Sequence, residues 1–248
     1  MENKPRHRGR HPADDELFAP ERLPVLRTAV AELSWLLDRG YADTSALALV
    51  GNRHELRTRQ RKAVKHCACG DRILAGRLAR RQELSRLAGR ALAIDGFNCL
   101  ITLEAALAGG AILRGRDTAY RDMSSVHGSY HRVAETQRAL VLVAEILAQC
   151  EPASVRWLLD RPVSNSGRLE ALIWAAAPPG LPWHVELVYN PDRELCRDPG
   201  VTVASSDAWV IDHADAWVDL PGAVLDRSGI DAWILDLGDV GDLLPAAP

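Results

Sequence analysis

Two kinds of hydrophobic spacing divide the chain. In PERLPVLRTAVAELSWLLDRG, residues 20–40, Leu23, Leu26, Val30, Leu33 and Leu37 recur at intervals of three and four, the period of one helix face. Gly40 is its stop. Asp43 or Thr44 caps a short helix over SALALV that Gly51 ends, Asn52 caps a third over RHELRTRQRKAVKHC, and a fourth covers ILAGRLARRQELSRLAG. The spacing predicts a small all-helical domain over residues 20–88. The stretch before it, residues 1–19, is polar and reads as a disordered basic arm.

Beyond residue 88 the pattern changes to short apolar runs: RALAID (90–95), VRWLLD (155–160), HVELVYN (184–190), VTVASSD (201–207) and AWVDL (216–220). Continuous rather than alternating apolar residues predict strands covered on both faces. Helical segments fall between them at 131–150, 166–177 and 207–214, and strands alternating with helices predict an α/β domain with a parallel sheet over residues 89–248. Residues 102–130, punctuated by Gly109, Gly110, Gly115 and Gly128, predict a long, partly irregular insertion after the first strand.

Composition narrows the function classes. Apolar residues make up 47% of 248, enough for a real core, yet no apolar run of membrane-spanning length occurs. The N-terminal stretch lacks the apolar segment of a secretory signal. Five scattered cysteines suit reduced thiols in a cytoplasm better than a disulfide framework. Residues 1–90 hold 19 Lys and Arg against 11 Asp and Glu, whereas residues 91–248 hold 11 against 22. A basic part joined to an acidic part points to a nucleic-acid contact on one side, or to two surfaces of opposite sign that dock on each other.

The acids fall where chemistry is expected. The predicted strands end at Asp95, at Asp160, at Asn190-Pro191-Asp192 and at Ser205-Ser206-Asp207. In an open parallel sheet the C-terminal strand ends share one edge, where ligands bind. Carboxylates gathered there repel one another, and a hard divalent cation, Mg²⁺ or Mn²⁺, relieves that conflict. Such a cation suits phosphodiester hydrolysis. Each acid also has a plain structural reading: Asp160 and Asp207 as helix caps, Asp192 as part of a turn. Asp95 stands apart because Gly96 permits close backbone approach and Asn98 is placed to orient a carboxylate or a water.

Other constellations are secondary. RGRDTAYRD places Arg116-Asp117 and Arg121-Asp122 five residues apart, followed by SSVHGSY. In the functional reading Arg116 or Arg121 holds a phosphate, Asp117 or Asp122 joins the acids, and His127 is a general acid; the alternative is an internally salt-bridged loop. VSNSG (163–167) supplies either an anion-binding turn or a plain helix cap. Arg57, Arg61 and Lys65 at four-residue spacing make a basic stripe suited to phosphates, or a solvated helix face. His54, His66, Cys67 and Cys69 lack zinc-ligand spacing. Trp209, Trp217 and Trp233 lie in apolar contexts and read as core. No glycine-rich nucleotide fingerprint occurs.

These residues carry two resemblances. IDGFN resembles the DGYN strand end of the NYN branch of PIN-like nucleases, and VASSD resembles the Ser-Asp end of their fourth strand. That resemblance implies a three-layer α/β/α fold with an acidic Mg²⁺ or Mn²⁺ site cutting RNA, less often DNA. Its acids map onto Asp95, Asp160 and Asp207, with Asp192 a fourth followed only by the short stretch RELCRD; Asn98 and Ser205 would orient ligands or water. Over nearly its whole length the chain is also similar to an uncharacterised prokaryotic family, domain of unknown function 434 with its C-terminal companion 5616, through SWLLDRGYADTSALALVGNRHELRTRQRKAV, DGFNCLITLEAALAGGAILRGRDTAYRDMSSVHGSY and DRPVSNSGRLEALI. The expectation is a metal-dependent RNA-cleaving enzyme. The alternatives are a non-catalytic nucleic-acid-binding or regulatory protein on the same scaffold, or a small-molecule phosphatase.

Overall fold

The computed structural model describes residues 8–123, 133–163 and 166–240. Helices come first: α1 (Asp14–Leu17), α2 (Leu23–Asp38), α3 (Asp43–Arg53), α4 (Thr58–Cys67) and α5 (Asp71–Arg80). The apolar stripe of α2 behaves as its spacing predicts, with Leu26, Val30 and Leu33 buried and Leu23 and Leu37 packed beside them. Gly40 ends it in the left-handed conformation, φ 79°, which glycine adopts without cost. Gly51 does not stop α3, and Asn52 lies inside α3 rather than capping α4.

Residues 8–19 are not a disordered arm. They carry α1, whose Asp14 is buried and ion-paired with Arg59 of α4, and Arg8 reaches the buried Glu104 at 2.6 Å. An acid with no exposure needs such a partner. Residues 1–7 lie outside the described residues.

The second part alternates as expected: β1 (Ala91–Asp95), α6 (Gly96–Leu107), β2 (Ile112–Arg114), β3 (Tyr120–Asp122), α7 (Thr136–Cys150), β4 (Ser154–Asp160), α8 (Ser166–Ala175), β5 (Trp183–Val188), α9 (Pro191–Leu195), β6 (Thr202–Ala204), α10 (Ala208–His213), β7 (Ala216–Val218), α11 (Leu220–Ser228) and β8 (Ile234–Asp236). Five strands form a parallel sheet in the order β5-β4-β1-β6-β7. Its faces alternate residue by residue along β1. Leu92 and Ile94 join a core with α6, α7, α8 and α11, while Ala93 packs with Leu195 of α9 and Val210 of α10. The sheet is thus the middle of three layers.

From β1 the chain builds outward to β4 and β5 on one side, then returns to place β6 and β7 on the other. That reversal lies between β1 and β6, the point of an open α/β sheet where ligands bind beyond the strand ends.

Residues 102–130 depart from expectation. They begin inside α6, which follows β1 without a loop. Gly96 makes this possible, because a Cβ there would stand 3.0 Å from the Leu158 carbonyl and 2.5 Å from a Leu159 methyl carbon. The stretch then supplies β2 and β3 of a second sheet, ordered β3-β2-β8. Leu113, Met123, Leu235 and Leu237 from that sheet and its flanks share one apolar cluster with Leu26, Val30 and Val64. The helical part therefore has no core of its own; it closes over the second sheet. Among the described residues no helix is long and apolar enough to cross a membrane.

Candidate functional site

Asp95 ends β1 and opens α6. Its Oδ1 accepts from the Asn98 backbone at 3.3 Å, the capping role of an acid at a helix start, and its Oδ2 accepts from Ser205 Oγ at 2.9 Å. Ser205 Oγ in turn accepts from the Asp207 backbone at 3.1 Å. Asn98 Oδ1 accepts from both the backbone and the hydroxyl of Ser206 at 2.9 Å. The ends of β1 and β6 are thus stitched together at the reversal point. Burial pushes the Asp95 carboxyl up to about 7, against the lowering effect of the Ser205 and Asn98 hydrogen bonds and with added repulsion from Asp192 and Asp207.

In front of Asp95 lies a cavity of about 330 Å³. Asp95, Asn98, Asp122, Asp160, Asp192 and Asp207 line it, with Phe97, Ile101 and Val163 as apolar wall. The fold therefore brings together all four acids predicted to meet. Asp192 lies in the first turn of α9, so the short stretch after β5 does form a helix. Its carboxyl is raised by burial and by Asp207 and Asp160. Asp160 is raised by burial, and its Oδ1 is buried with no hydrogen-bond partner among the described residues. Asp207 spends Oδ1 capping α10, accepting from Trp209 at 2.8 Å and Val210 at 3.1 Å. The capping reading of Asp207 thus holds alongside its place at the cavity.

A divalent cation fits this site in kind. The donors are carboxylate and amide oxygens, no Lys or Arg lines the cavity among the described residues, and one acid oxygen has no partner. Among the described residues, however, no group of three or more His, Cys, Asp or Glu is arranged to hold a metal directly.

The RGRDTAYRD loop is divided between two roles. Asp122, at the end of β3, reaches the cavity and accepts from Thr102 Oγ1 at 3.3 Å. Asp117 does not. It is buried between two guanidiniums, Arg77 Nη1 at 2.7 Å and Arg121 at 2.7 and 2.8 Å. Arg121 is no phosphate ligand: it is buried, and its Nε donates to the Ser206 carbonyl at 2.8 Å, behind the cavity. Arg116 is likewise committed, to the Cys69 carbonyl at 2.6 Å and Asp71 at 2.8 Å. For these three residues the internally bridged reading is the correct one, because a charge folded inward must find its partner there.

The basic stripe is also broken. Arg61 donates to the Leu56 carbonyl and to Asn52, both at 2.8 Å, leaving Arg57 and Lys65 exposed. His127, Ser164 and Asn165 lie outside the described residues. Neighbouring His66 of α4 is held neutral: burial, then Arg121, Lys62 and Lys65, lower it to about 4, while Asp207 acts in the other direction. The helical part therefore stands within electrostatic reach of the acidic edge. Of the expected core tryptophans, Trp217 is fully buried and Trp233 is packed on the second core, but Trp209 is 42% exposed.

Three further polar or aromatic residues stand near this edge. Arg161 follows Asp160 just past β4, Arg193 follows Asp192 in the first turn of α9, and both arginines are exposed. Tyr189, just past β5, is exposed as well.

Fold and site together define an open α/β protein with an acidic pocket at the sheet's reversal point, braced by an N-terminal helical segment. The chain belongs to the family described as Domain of unknown function (DUF5616), matched over residues 84–223, and residues 25–80 match Protein of unknown function (DUF434). It is 31% identical over 187 residues to an uncharacterised protein of Methanocaldococcus jannaschii, an alignment covering 75% of this chain and 88% of that one. No solved structure matches it.

Proposed function

We propose that the protein is a Mg²⁺- or Mn²⁺-dependent phosphodiesterase of PIN-like type acting on RNA. The observation that carries this reading is the convergence of Asp95, Asp160, Asp192 and Asp207 on one cavity at the sheet's reversal point. Asp95, Asp160 and Asp207 would hold the ion, directly or through water, with Asp192 contributing a fourth carboxylate. A bound ion supplies neutralisation of the acids and Lewis acidity toward a phosphoryl oxygen.

The chain's own residues prepare the site. Ser205 fixes the Asp95 carboxylate, and Asn98 locks the β6 end against α6. The apolar wall of Phe97, Ile101 and Val163 reduces water access on one side. The acids repel a polyanion until a cation is present, so binding of substrate and metal are coupled. The exposed Arg57, Lys65, Arg161 and Arg193 take the phosphates outside the pocket, a role that Arg116 and Arg121 cannot fill.

The test is Mn²⁺-dependent cleavage of labelled RNA by wild type and by Asp95→Asn, beside melting curves with and without Mn²⁺. Wild type is expected to cleave and to gain thermal stability from Mn²⁺; the variant is expected to do neither while remaining folded. Full activity in the folded variant overturns the assignment. RNA binding without any response to Mn²⁺ would instead indicate a non-catalytic binding protein, and turnover of small phosphoesters alone a phosphatase.

A further inference from the structure

Two aromatic rings stand in solvent on segments that follow two strands of the sheet carrying the acidic pocket, and each has a neighbour against it. Tyr189 is 74% exposed, and the Arg161 guanidinium lies 5.3 Å from its ring centroid. Trp209, 42% exposed, stacks on His213 with centroids 4.0 Å apart and planes inclined by 19°, and His213 Nδ1 is tied to the Trp209 carbonyl at 2.7 Å. Neither ring belongs to a core cluster among the described residues. Large rings left in water with a face open are suited to receive a flat partner.

Their places in the fold give the spacing. Tyr189 follows β5 and Trp209 follows β6, and in the sheet β4 and β1 lie between those strands. Three interstrand steps of about 4.8 Å put the two strand ends roughly 14 Å apart. Between them are the ends of β4 and β1, which carry Asp160 and Asp95. Arg161, beside Asp160, is both the cation on Tyr189 and a charge available to a phosphate.

We infer that Tyr189 and Trp209 are stacking platforms for two unpaired bases of a polynucleotide whose backbone crosses the acidic pocket between them. This rests on the proposed function for the direction of the strand, but the platforms themselves rest on the exposed rings. A base inside a duplex has both faces covered, so only splayed, single-stranded nucleotides fit. Stacking of this kind tolerates any base, since each has a π-face. The platforms therefore impose strandedness rather than sequence.

The experiment measures equilibrium binding of the full chain, in Mn²⁺ at a temperature that suppresses turnover, to three fluorescent probes: a single-stranded RNA, its duplex, and an abasic oligomer with the same phosphates. Wild type is expected to prefer the single strand over both others. Tyr189→Ala and Trp209→Ala are each expected to weaken single-strand binding by about tenfold or more and to leave the abasic oligomer unaffected, while Tyr189→Phe and Trp209→Phe retain the affinity. Equal binding of duplex and single strand, or an equal loss on the abasic probe, overturns the proposal. Absence of any oligonucleotide binding also overturns it and leaves the rings as a surface for a protein. Ring-dependent binding without cleavage sustains the platforms and removes only the hydrolytic reading.

Discussion

Two groups of charged residues meet at Arg121 and Asp122 of β3 and at Asp207 and Asp212, the cap and body of α10, and they are built on opposite principles. Behind the sheet edge, Asp117 is held by Arg77 and Arg121, and Arg77 also grips Asp212 of α10 through two hydrogen bonds of 2.7 and 2.8 Å. At the front, Asp95, Asp160, Asp192 and Asp207 line one cavity, and among the described residues no guanidinium lines it with them. Burial raises both Asp95 and Asp117, but at Asp117 the guanidiniums overcome it and hold the carboxyl at about 2, whereas Asp95 is left at about 7. The same side chain is thus an ion-paired structural contact in one place and, in the other, a buried carboxyl held by a serine and a backbone amide with no cationic partner in its cavity lining among the described residues. The finished cluster also supports the open one: Arg121 and Arg77 donate to the carbonyls of Ser206 and Ala208, the residues flanking Asp207.

Removing Asp117 should have the largest effect. Asp117→Ala leaves two buried guanidiniums facing each other, and breaking a buried pair costs about 3–5 kcal/mol. The urea midpoint should fall accordingly. Arg77 comes from the helical part and Asp212 from the α/β part, so both should unfold in one transition. Separate transitions for the two parts would show that the network does not join them.

The second prediction concerns pH. The raised Asp95 carboxyl favours the folded state in its protonated form. Its contribution to stability is fully present below about pH 4 and is lost as pH rises through about 7, with a slope of up to ~1.4 kcal/mol per pH unit. Asp117 has the opposite sign. Its contribution is present above the ordinary carboxylate range and is lost as pH falls toward 2. Without metal, Asp95→Asn should therefore flatten the stability profile between pH 4 and 7 and leave the acid limb unchanged. Mn²⁺ should stabilise wild type more at pH 8 than at pH 5, because the ion competes with the proton. A profile unaltered by Asp95→Asn would show that this carboxyl is already compensated.

How much of this could be read in advance follows from distance along the chain. The sheet strands announced themselves as short, mostly apolar local runs, although β5 at the sheet edge alternates, with His184 and Glu186 exposed, and the acids that follow them came from parallel topology. Helix α6 was hidden because it is buried almost all round, with Phe97, Cys99, Leu100, Ile101 and Leu103 inside; it has no polar face to display a helical period. Strands β2 and β8 are three residues each and pair across more than a hundred positions. Arg77 finds Asp212 over 135 residues, and nothing local marks either as a partner. Trp209 looked like core from its neighbours, and only the fold turns it outward.

The smallest effects come from one substitution made in two glycines, and their signs should differ. Gly76 lies within α5, and a Cβ there would meet only the far end of Arg80, at 3.8 Å. Gly76→Ala should stabilise by about 0.5–1 kcal/mol through helix propensity. Gly96 begins α6 directly against β4, where the nearest atoms include a backbone carbonyl that cannot swing away. Gly96→Ala should destabilise by about 1–3 kcal/mol through overpacking, and it should weaken Mn²⁺ binding as well, because displacing α6 moves the Asn98 backbone N–H that donates to Asp95. Isothermal titration with Mn²⁺ beside urea melts separates the two effects. A fall in stability with unchanged Mn²⁺ affinity would mean that the Asp95 carboxylate is positioned by Ser205 alone, and that the glycine of the Asp-Gly pair serves the packing of helix on strand and nothing at the acidic edge.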